Sequence, residues 1–219
     1  MLYLYAFVRG SGHLPDTAGI AGAPATFVPL GTVAAVVAEV DGALEPTDEN
    51  VLAHARVVDA LAAANDAVLP VRFGRGFRDG EDLAAAVALF AGELEERLEE
   101  LSGCVEIGLH VPAPAQPAQP VASGRDYMRH RLRDLARIDA LAADIHAPLA
   151  ERARAATRSR SVGTSALLRA AYLVSVADVD AFRGAVDEAQ RRYRELSFAC
   201  TGPWPPYSFA VLEREGAAA

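Results

Sequence analysis

The chain has 219 residues, 52% of them hydrophobic and 23% charged, and a formal net charge of −8. That length allows one large domain or two small ones, and the composition is that of a soluble globular protein with ample core. The acidic balance disfavours nonspecific binding to nucleic acid or anionic lipid, and no stretch approaches the roughly 20 apolar residues a membrane helix needs.

The basic residues are all Arg; the sequence has no Lys. Cys104 and Cys200 form no CxxC pair and have no His at metal-ligand spacing, so a reduced, cytoplasmic protein is expected. The N-terminus lacks the basic region and apolar run of a signal peptide.

Leu2 to Val8 predicts a buried strand, with aromatic and β-branched residues on both faces. Arg9 to His13 opens a loop that runs to about Pro24. Its glycines match neither nucleotide-binding fingerprint, and an ordinary connection is expected. Thr26 to Leu30 and Thr32 to Val40 are two further strands, separated by Gly31. Thr47 predicts an N-cap, followed by acids in the first helical turn. The buried face of that helix is expected at Val51, Ala55, Val58 and Ala62, with Leu61 at its edge and His54 a boundary residue.

Val68 to Phe73 predicts a strand with Pro70 near its start, at a sheet edge or strand beginning. A turn follows, Gly74 to Gly80. Its Arg75 and Arg78, with Arg72 just before, offer an anion site; the other reading is arginines that are solvated or paired with Asp79 and Glu81. Asp82 to Leu101 predicts one helix with the stripe Leu83, Val87, Phe90, Leu94, Leu98 and Leu101. Five glutamates crowd its second half, and Arg97 is expected to offset them.

Cys104 to Val111 alternates as a strand. Pro112, Pro114, Pro117 and Pro120 mark a stiff linker. Ser123 is a candidate cap for a helix from about Arg125, with Met128, Leu132, Leu135, Ile138 and Leu141 or Ala142 as its buried face. Pro148 should kink or restart that helix, which then runs to about Ala156. Residues 125–160 carry nine Arg against five acids, a net +4, leaving −12 for the remainder. That asymmetry describes either a solvated helical face or an Arg-rich face that meets an acidic surface. Arg158 to Val162 and Ala166 to Val176 predict a hairpin joined at Gly163-Thr164. Asp178 begins the last helix, with the stripe Val179, Phe182, Val186, Ala189, Tyr193 and Leu196.

The chain closes on Gly202-Pro203-Trp204-Pro205-Pro206-Tyr207-Ser208-Phe209. Three prolines rule out helix and make this a stiff, extended lead into a short apolar strand, Ser208 to Leu212. The only Trp sits in the stiff part, where it either wedges against the core or presents a flat apolar face to a partner.

The second half thus reads βαββαβ, the order of a ferredoxin-like unit. The first half reads as another α+β unit. The expected fold is α+β with two domains, 1–103 and 104–219, the second ferredoxin-like with a C-terminal tail; the alternative boundary is the linker at 112–120. No catalytic set is visible: the five His form no HxH or HExxH pattern, and there is no GxSxG elbow or Walker loop. No metal or cofactor site is expected, and binding or assembly takes the larger share.

The closing octapeptide, together with Tyr3-Leu4-Tyr5 and Val68-Leu69-Pro70-Val71-Arg72-Phe73-Gly74, resembles the gas vesicle protein F/L family (GvpF/GvpL). The resemblance implies two α+β domains. It also implies a non-enzymatic protein that binds the small hydrophobic shell protein (GvpA-type) and other gas vesicle proteins during assembly, located at the gas vesicle and in the cytoplasm, with no nucleic-acid or membrane partner. Holding an apolar shell subunit needs an exposed aromatic patch with a polar rim. The candidates are Trp204, Tyr207 and Phe209, with Phe73 and Phe77 around Arg72. The runner-up is a small-ligand or anion-binding module using Arg72, Arg75 and Arg78.

Overall fold

A computed structural model describes residues 1–10, 12–114, 124–159 and 166–211. The chain divides into two compact units: Met1–Val105 with the described residues from Trp204 onward, and Glu106–Pro203.

The first unit is built on β1 (Leu2–Arg9). Its neighbours are β2 (Thr26–Leu30), β3 (Val33–Glu39), β4 (Val68–Pro70) and β5 (Gly76–Phe77). The sheet order is β2-β3-β1-β4, with β5 also on β1. The register of β1 against β3 slips between Leu4 and Ala6, a bulge at Tyr5. A bulge puts two successive residues on one side of a sheet. Tyr3 and Tyr5 before the slip therefore join Ala6 and Val8 after it in one core cluster. Tyr3 to Val8 are all no more than 3% exposed, as expected of a strand apolar on both faces.

The helix α1 (Asp48–Ala64) covers that cluster. Thr47 caps it, its hydroxyl accepting from the Asn50 N–H at 3.3 Å. The buried face differs from expectation: Ala53, His54, Val57, Val58 and Leu61 point inward, and Val51 is exposed. The stripe is rotated toward its expected edge: His54, placed at the boundary by its wheel position beside Leu61, is a core residue with both ring nitrogens bonded.

The helix expected over Asp82–Leu101 is two helices, α2 (Gly80–Ala88) and α3 (Ala91–Leu101). Phe90 leaves helical geometry at φ −140°, ψ 24°, and becomes the N-cap residue of α3. The stripe survives the break, with Leu83, Val87, Leu94, Leu98 and Leu101 buried. Arg97 pairs with Glu100 at 2.6 Å, within the glutamate-rich turn it was expected to offset. Arg9 reaches Glu99, and Thr32 reaches Glu95.

The second unit contains β6 (Cys104–Pro112) from Glu106 onward, α4 (Gly124–Ala150), β7 (Ala155–Arg158), β8 (Ala166–Ser175), α5 (Val179–Arg192) and β9 (Ala199–Trp204) up to Pro203. The sheet order is β7-β8-β6-β9, and β7 and β8 pair antiparallel. Ile107, Leu109 and Val111 alternate inward along β6, meeting Tyr172 and Val174 of β8 and Phe182 and Val186 of α5. The Tyr172 hydroxyl lies 2.8 Å from His146 Nδ1, and its ring packs 5.0 Å from Phe182.

Three expectations fail in this unit. Pro148 lies in the last turn of α4, which stops at Ala150 rather than near Ala156, and β7 begins at Ala155, three residues before Arg158. The expected buried face of α4 holds only from Ile138 onward. Ala142, Ile145 and Leu149 are buried, whereas Met128, Leu132 and Leu135 are 55%, 63% and 42% exposed. The last strand is β9, which runs into the proline cluster as far as Trp204, and Tyr207–Phe209 form a single 3₁₀ turn instead of a strand. Pro203 has no N–H to offer a ladder, and β9 is an edge strand, where that is tolerated. The Gly202–Pro203 peptide is cis. The expected Ser123 cap, the prolines at 117 and 120 and the Gly163-Thr164 junction lie outside the described residues.

Candidate functional site

The middle motif and the closing segment both belong to the first unit. β4 pairs with Ala6–Val8 and β5 with Leu2–Tyr3, so residues 68–77 run antiparallel along β1. They leave it between Val71, whose N–H donates to Tyr5 O, and Arg75, whose carbonyl accepts from Leu4 N, both at 2.9 Å. The strand expected to reach Phe73 therefore ends at Pro70, and Arg72, Phe73 and Gly74 form an excursion. Gly74 sits at φ +98°, a conformation that favours glycine.

A buried polar chain holds that excursion. The Val71 carbonyl can only accept, so His54 Nε2–H donates to it at 2.9 Å. Nδ1 is then the acceptor, and the Tyr3 hydroxyl donates to it at 2.8 Å. The Gly74 N–H in turn donates to the Tyr3 oxygen at 3.3 Å. The protonation state follows from burial. His54 is 3% exposed, and burial holds it down to about 4, against the bond to Val71, which acts the other way. Burial pushes the Tyr3 hydroxyl up to about 12. The network is neutral and its tautomer is set by its partners. Tyr5 stacks on His54 at 5.5 Å and its hydroxyl accepts from Ile20 N at 3.0 Å.

The expected site residues are distributed unevenly around this network. Phe73 is half-buried, 5.8 Å from Tyr3 and 6.0 Å from His54. Tyr207 is half-buried on the same core cluster. Burial raises its hydroxyl pKa, with Asp59 and Tyr3 adding to the effect. Pro205 and Pro206 are buried. Trp204 is 50% exposed, Arg72 is exposed and Phe209 is half-buried. The structure thus joins Phe73 and Tyr207 through one cluster. Phe77 sits elsewhere on β5, half-buried and opposite Leu2.

Of the three arginines, Arg78 is committed to Asp82, with its guanidinium on Oδ1 and its backbone N–H on Oδ2, each at 3.0 Å. That pairing raises the Arg78 pKa and lowers that of Asp82. The partner is Asp82 rather than Asp79 or Glu81; Asp79 instead caps α2, accepting from Asp82 N at 2.9 Å. Among the described residues no group of three His, Cys, Asp or Glu is arranged to hold a metal. Cys104 is buried and Cys200 exposed, and neither is in a disulfide. Also among the described residues, no helix is long and apolar enough to cross a membrane.

The His54 network was missed from sequence. The available signal was the wheel position of His54 between Val58 and Leu61, inside a stripe that turns out to be the buried one.

The profile of the family described as gas vesicle synthesis protein GvpL/GvpF matches residues 1–211. The chain is 28% identical over 215 residues to gas vesicle protein F1 of Halobacterium salinarum, covering 96% of this chain and 93% of that protein. It is 32% identical over 252 aligned residues to gas vesicle protein L of a Streptomyces species, covering 97% and 94%. Among solved structures it superimposes on the gas vesicle protein GvpF of an Anabaena species with a TM-score of 0.84, at 17% identity over 96% of each chain. The GvpF of Microcystis aeruginosa gives 0.81 at 19% identity, over 96% of this chain and 99% of that one. At those identities the structural likeness speaks for the fold alone.

Proposed function

Because the chain belongs to the gas vesicle synthesis protein GvpL/GvpF family, and is therefore a gas vesicle protein, we propose that it works by protein contact rather than catalysis. In this reading it binds the small hydrophobic shell protein and other vesicle proteins in the cytoplasm during assembly. Such a subunit is apolar on its gas-facing side and must be held by an aromatic surface with a polar rim before it is placed. The observation that carries the proposal is the closing segment. Tyr207 is anchored on the first unit's core, Pro205 and Pro206 are buried, and Trp204 remains 50% exposed. An indole displayed beside a rigid proline anchor gives a large contact area at low entropic cost. Arg72 is the candidate rim cation, and Phe73, Phe77 and Phe209 are candidate supporting contacts.

Trp204→Ala is the cleanest test, because the side chain is half in solvent. Retention of purified shell protein should weaken at least about tenfold, roughly 1.4 kcal/mol, with thermal stability unchanged. Unchanged retention by a folded Trp204→Ala protein removes the patch assignment. Tyr207→Ala is a poorer probe, since it also removes a core contact.

We further propose that 1–103 and 104–219 are the two domains, with the closing segment returning to the first, and that the second is ferredoxin-like. Its βαββαβ order and a sheet whose first and third strands, β6 and β8, lie centrally support that reading.

A further inference from the structure

We propose that Arg158 and His146 of the second unit form a binding site for a carboxylate. The site is separate from the Trp204 segment, and the argument does not depend on what that segment binds.

A tyrosine–histidine pair occurs twice among the described residues. In the first unit Tyr3 meets Nδ1 of His54, and the Val71 carbonyl closes the other ring nitrogen. In the second unit the Tyr172 hydroxyl meets Nδ1 of His146 at 2.8 Å, and no carbonyl closes the ring. Tyr172 is fully buried, and burial pushes its hydroxyl up, so it remains an O–H. A buried O–H left without an acceptor is costly. It therefore donates to Nδ1, and the neutral imidazole carries its proton on Nε2. His146 is half-buried. Among the described residues the only buried side-chain polar atom without a partner is Arg97 Nε. The Nε2–H of His146, which bonds to none of them, therefore reaches solvent.

Arg158 brings a fixed charge to the same place. In the β7–β8 ladder it pairs with Ala170, while Tyr172 pairs with Ala156. Arg158 and Tyr172 are thus diagonal neighbours on one face of the sheet, about 7 Å apart. The guanidinium acts on both members of the pair. Burial lowers the His146 pKa and Arg158 lowers it further, and Arg158 also works against the burial that raises Tyr172. Arg158 is half-buried, yet among the described residues its side chain has no ion pair and no hydrogen bond. The surroundings explain this. On its face of the sheet its neighbours are Ala156, Ala170 and Tyr172. One helical turn from His146 stand Ala142, Ala143, Leu149 and Ala150. None of these is acidic, so a partly desolvated cation lacks a counterion, which is unfavourable.

The chemistry selects the ligand. A guanidinium fork receives the two oxygens of a carboxylate side by side, and the imidazole N–H offers a further donor. The site carries one formal positive charge, which one carboxylate neutralises. A phosphate monoester, at about −2, would leave negative charge uncompensated. Free carboxylic acids and the aspartate or glutamate side chains of another polypeptide share the required group.

The test is NMR of the full isotope-labelled chain. The His146 imidazole and Arg158 Nε–H signals are followed while sodium acetate replaces sodium chloride at constant ionic strength and pH. Inorganic phosphate is titrated in parallel, as are an extended, end-blocked peptide with a single glutamate and its glutamine twin. Acetate should move both signals saturably in the millimolar range, and phosphate should bind no more tightly. Arg158→Gln should weaken the response of His146 roughly tenfold or more. It should not lower the melting temperature, because it removes an unpaired charge. Arg158→Lys, which keeps the charge without the fork, should restore part of the binding. Tighter binding of the glutamate peptide than of acetate, with no binding of its twin, makes the ligand a polypeptide side chain. Acetate binding without that gain makes it a small carboxylate. No saturable shift with acetate, tighter binding of phosphate, or indifference to Arg158→Gln overturns the proposal.

Discussion

His54 shows how a polar side chain comes to sit in the middle of an apolar stripe. Its ring fills a site 3% exposed to solvent and uses both nitrogens, one on Tyr3 and one on Val71. The sequence spacing placed it between Val58 and Leu61, at the edge of the expected stripe, and spacing within one helix says nothing about partners on other elements. A histidine held neutral in this way ties stability to pH. Its folded pKa is lowered from the usual 6.5 to about 4. The unfolded chain therefore binds the proton first on acidification. The contribution is complete above pH 6.5, falls as the pH drops toward 4, and changes no further below that. Its size is about 3 kcal/mol. Urea denaturation of the wild type between pH 7 and 4 should show that loss, and His54→Phe should be less stable at pH 7 but have a shallower slope, keeping only the part due to other groups such as His146, whose pKa burial also lowers. Gly74→Ala should cost about 1–3 kcal/mol, because a side chain at φ +98° is strained. Its effect should appear in hydrogen exchange as faster opening around Val71 to Arg75.

At the scale of elements, periodicity recovered which residues are buried better than where helices begin and end. Val87 and Leu94 are both buried although the helix is broken between them. The apolar pattern over 83–101 was therefore legible, whereas the interruption at Phe90 was not. The same logic failed in α4, where Met128, Leu132 and Leu135 have the spacing of a core stripe and lack a core to face. Hydrophobic spacing reports a face that wants cover and is silent on whether this chain supplies it. The two cases differ measurably. Leu94→Ala, at a fully buried position, should cost about 2–5 kcal/mol. Leu132→Ala should fall within about 0.5 kcal/mol. Equal losses in a chemical denaturation series would mean that Leu132 is covered in the free chain. Thr47→Ala, which removes the cap of α1, should cost about 1 kcal/mol.

For the whole molecule, the element order of the second unit was readable from sequence because its helices and strands alternate with clear period changes. The family was readable from the closing octapeptide, although the last strand, expected from Ser208, instead ends at Trp204 inside it. What could not be read was the company that octapeptide keeps. Nothing in the local sequence says that Tyr207 packs on a core cluster with Tyr3, Val57 and Leu61. Contacts between the two ends of a chain are set by topology, and one sequence displays topology only as order. Deleting residues from Trp204 onward should therefore destabilise the first unit, with increased amide exchange in β1 and α1, while β8 and α5 keep their protection.

That deletion experiment has a counterpart in biosynthesis. Ribosomes deliver Tyr3 and His54 before the second unit and Tyr207 after it, so the first core waits, one aromatic short, while Glu106–Pro203 is made. The returning stretch of polypeptide acts as a latch that closes only once the second unit has been synthesised. A nascent chain stalled before Trp204 should consequently show a protease-sensitive first unit, and the finished protein a resistant one.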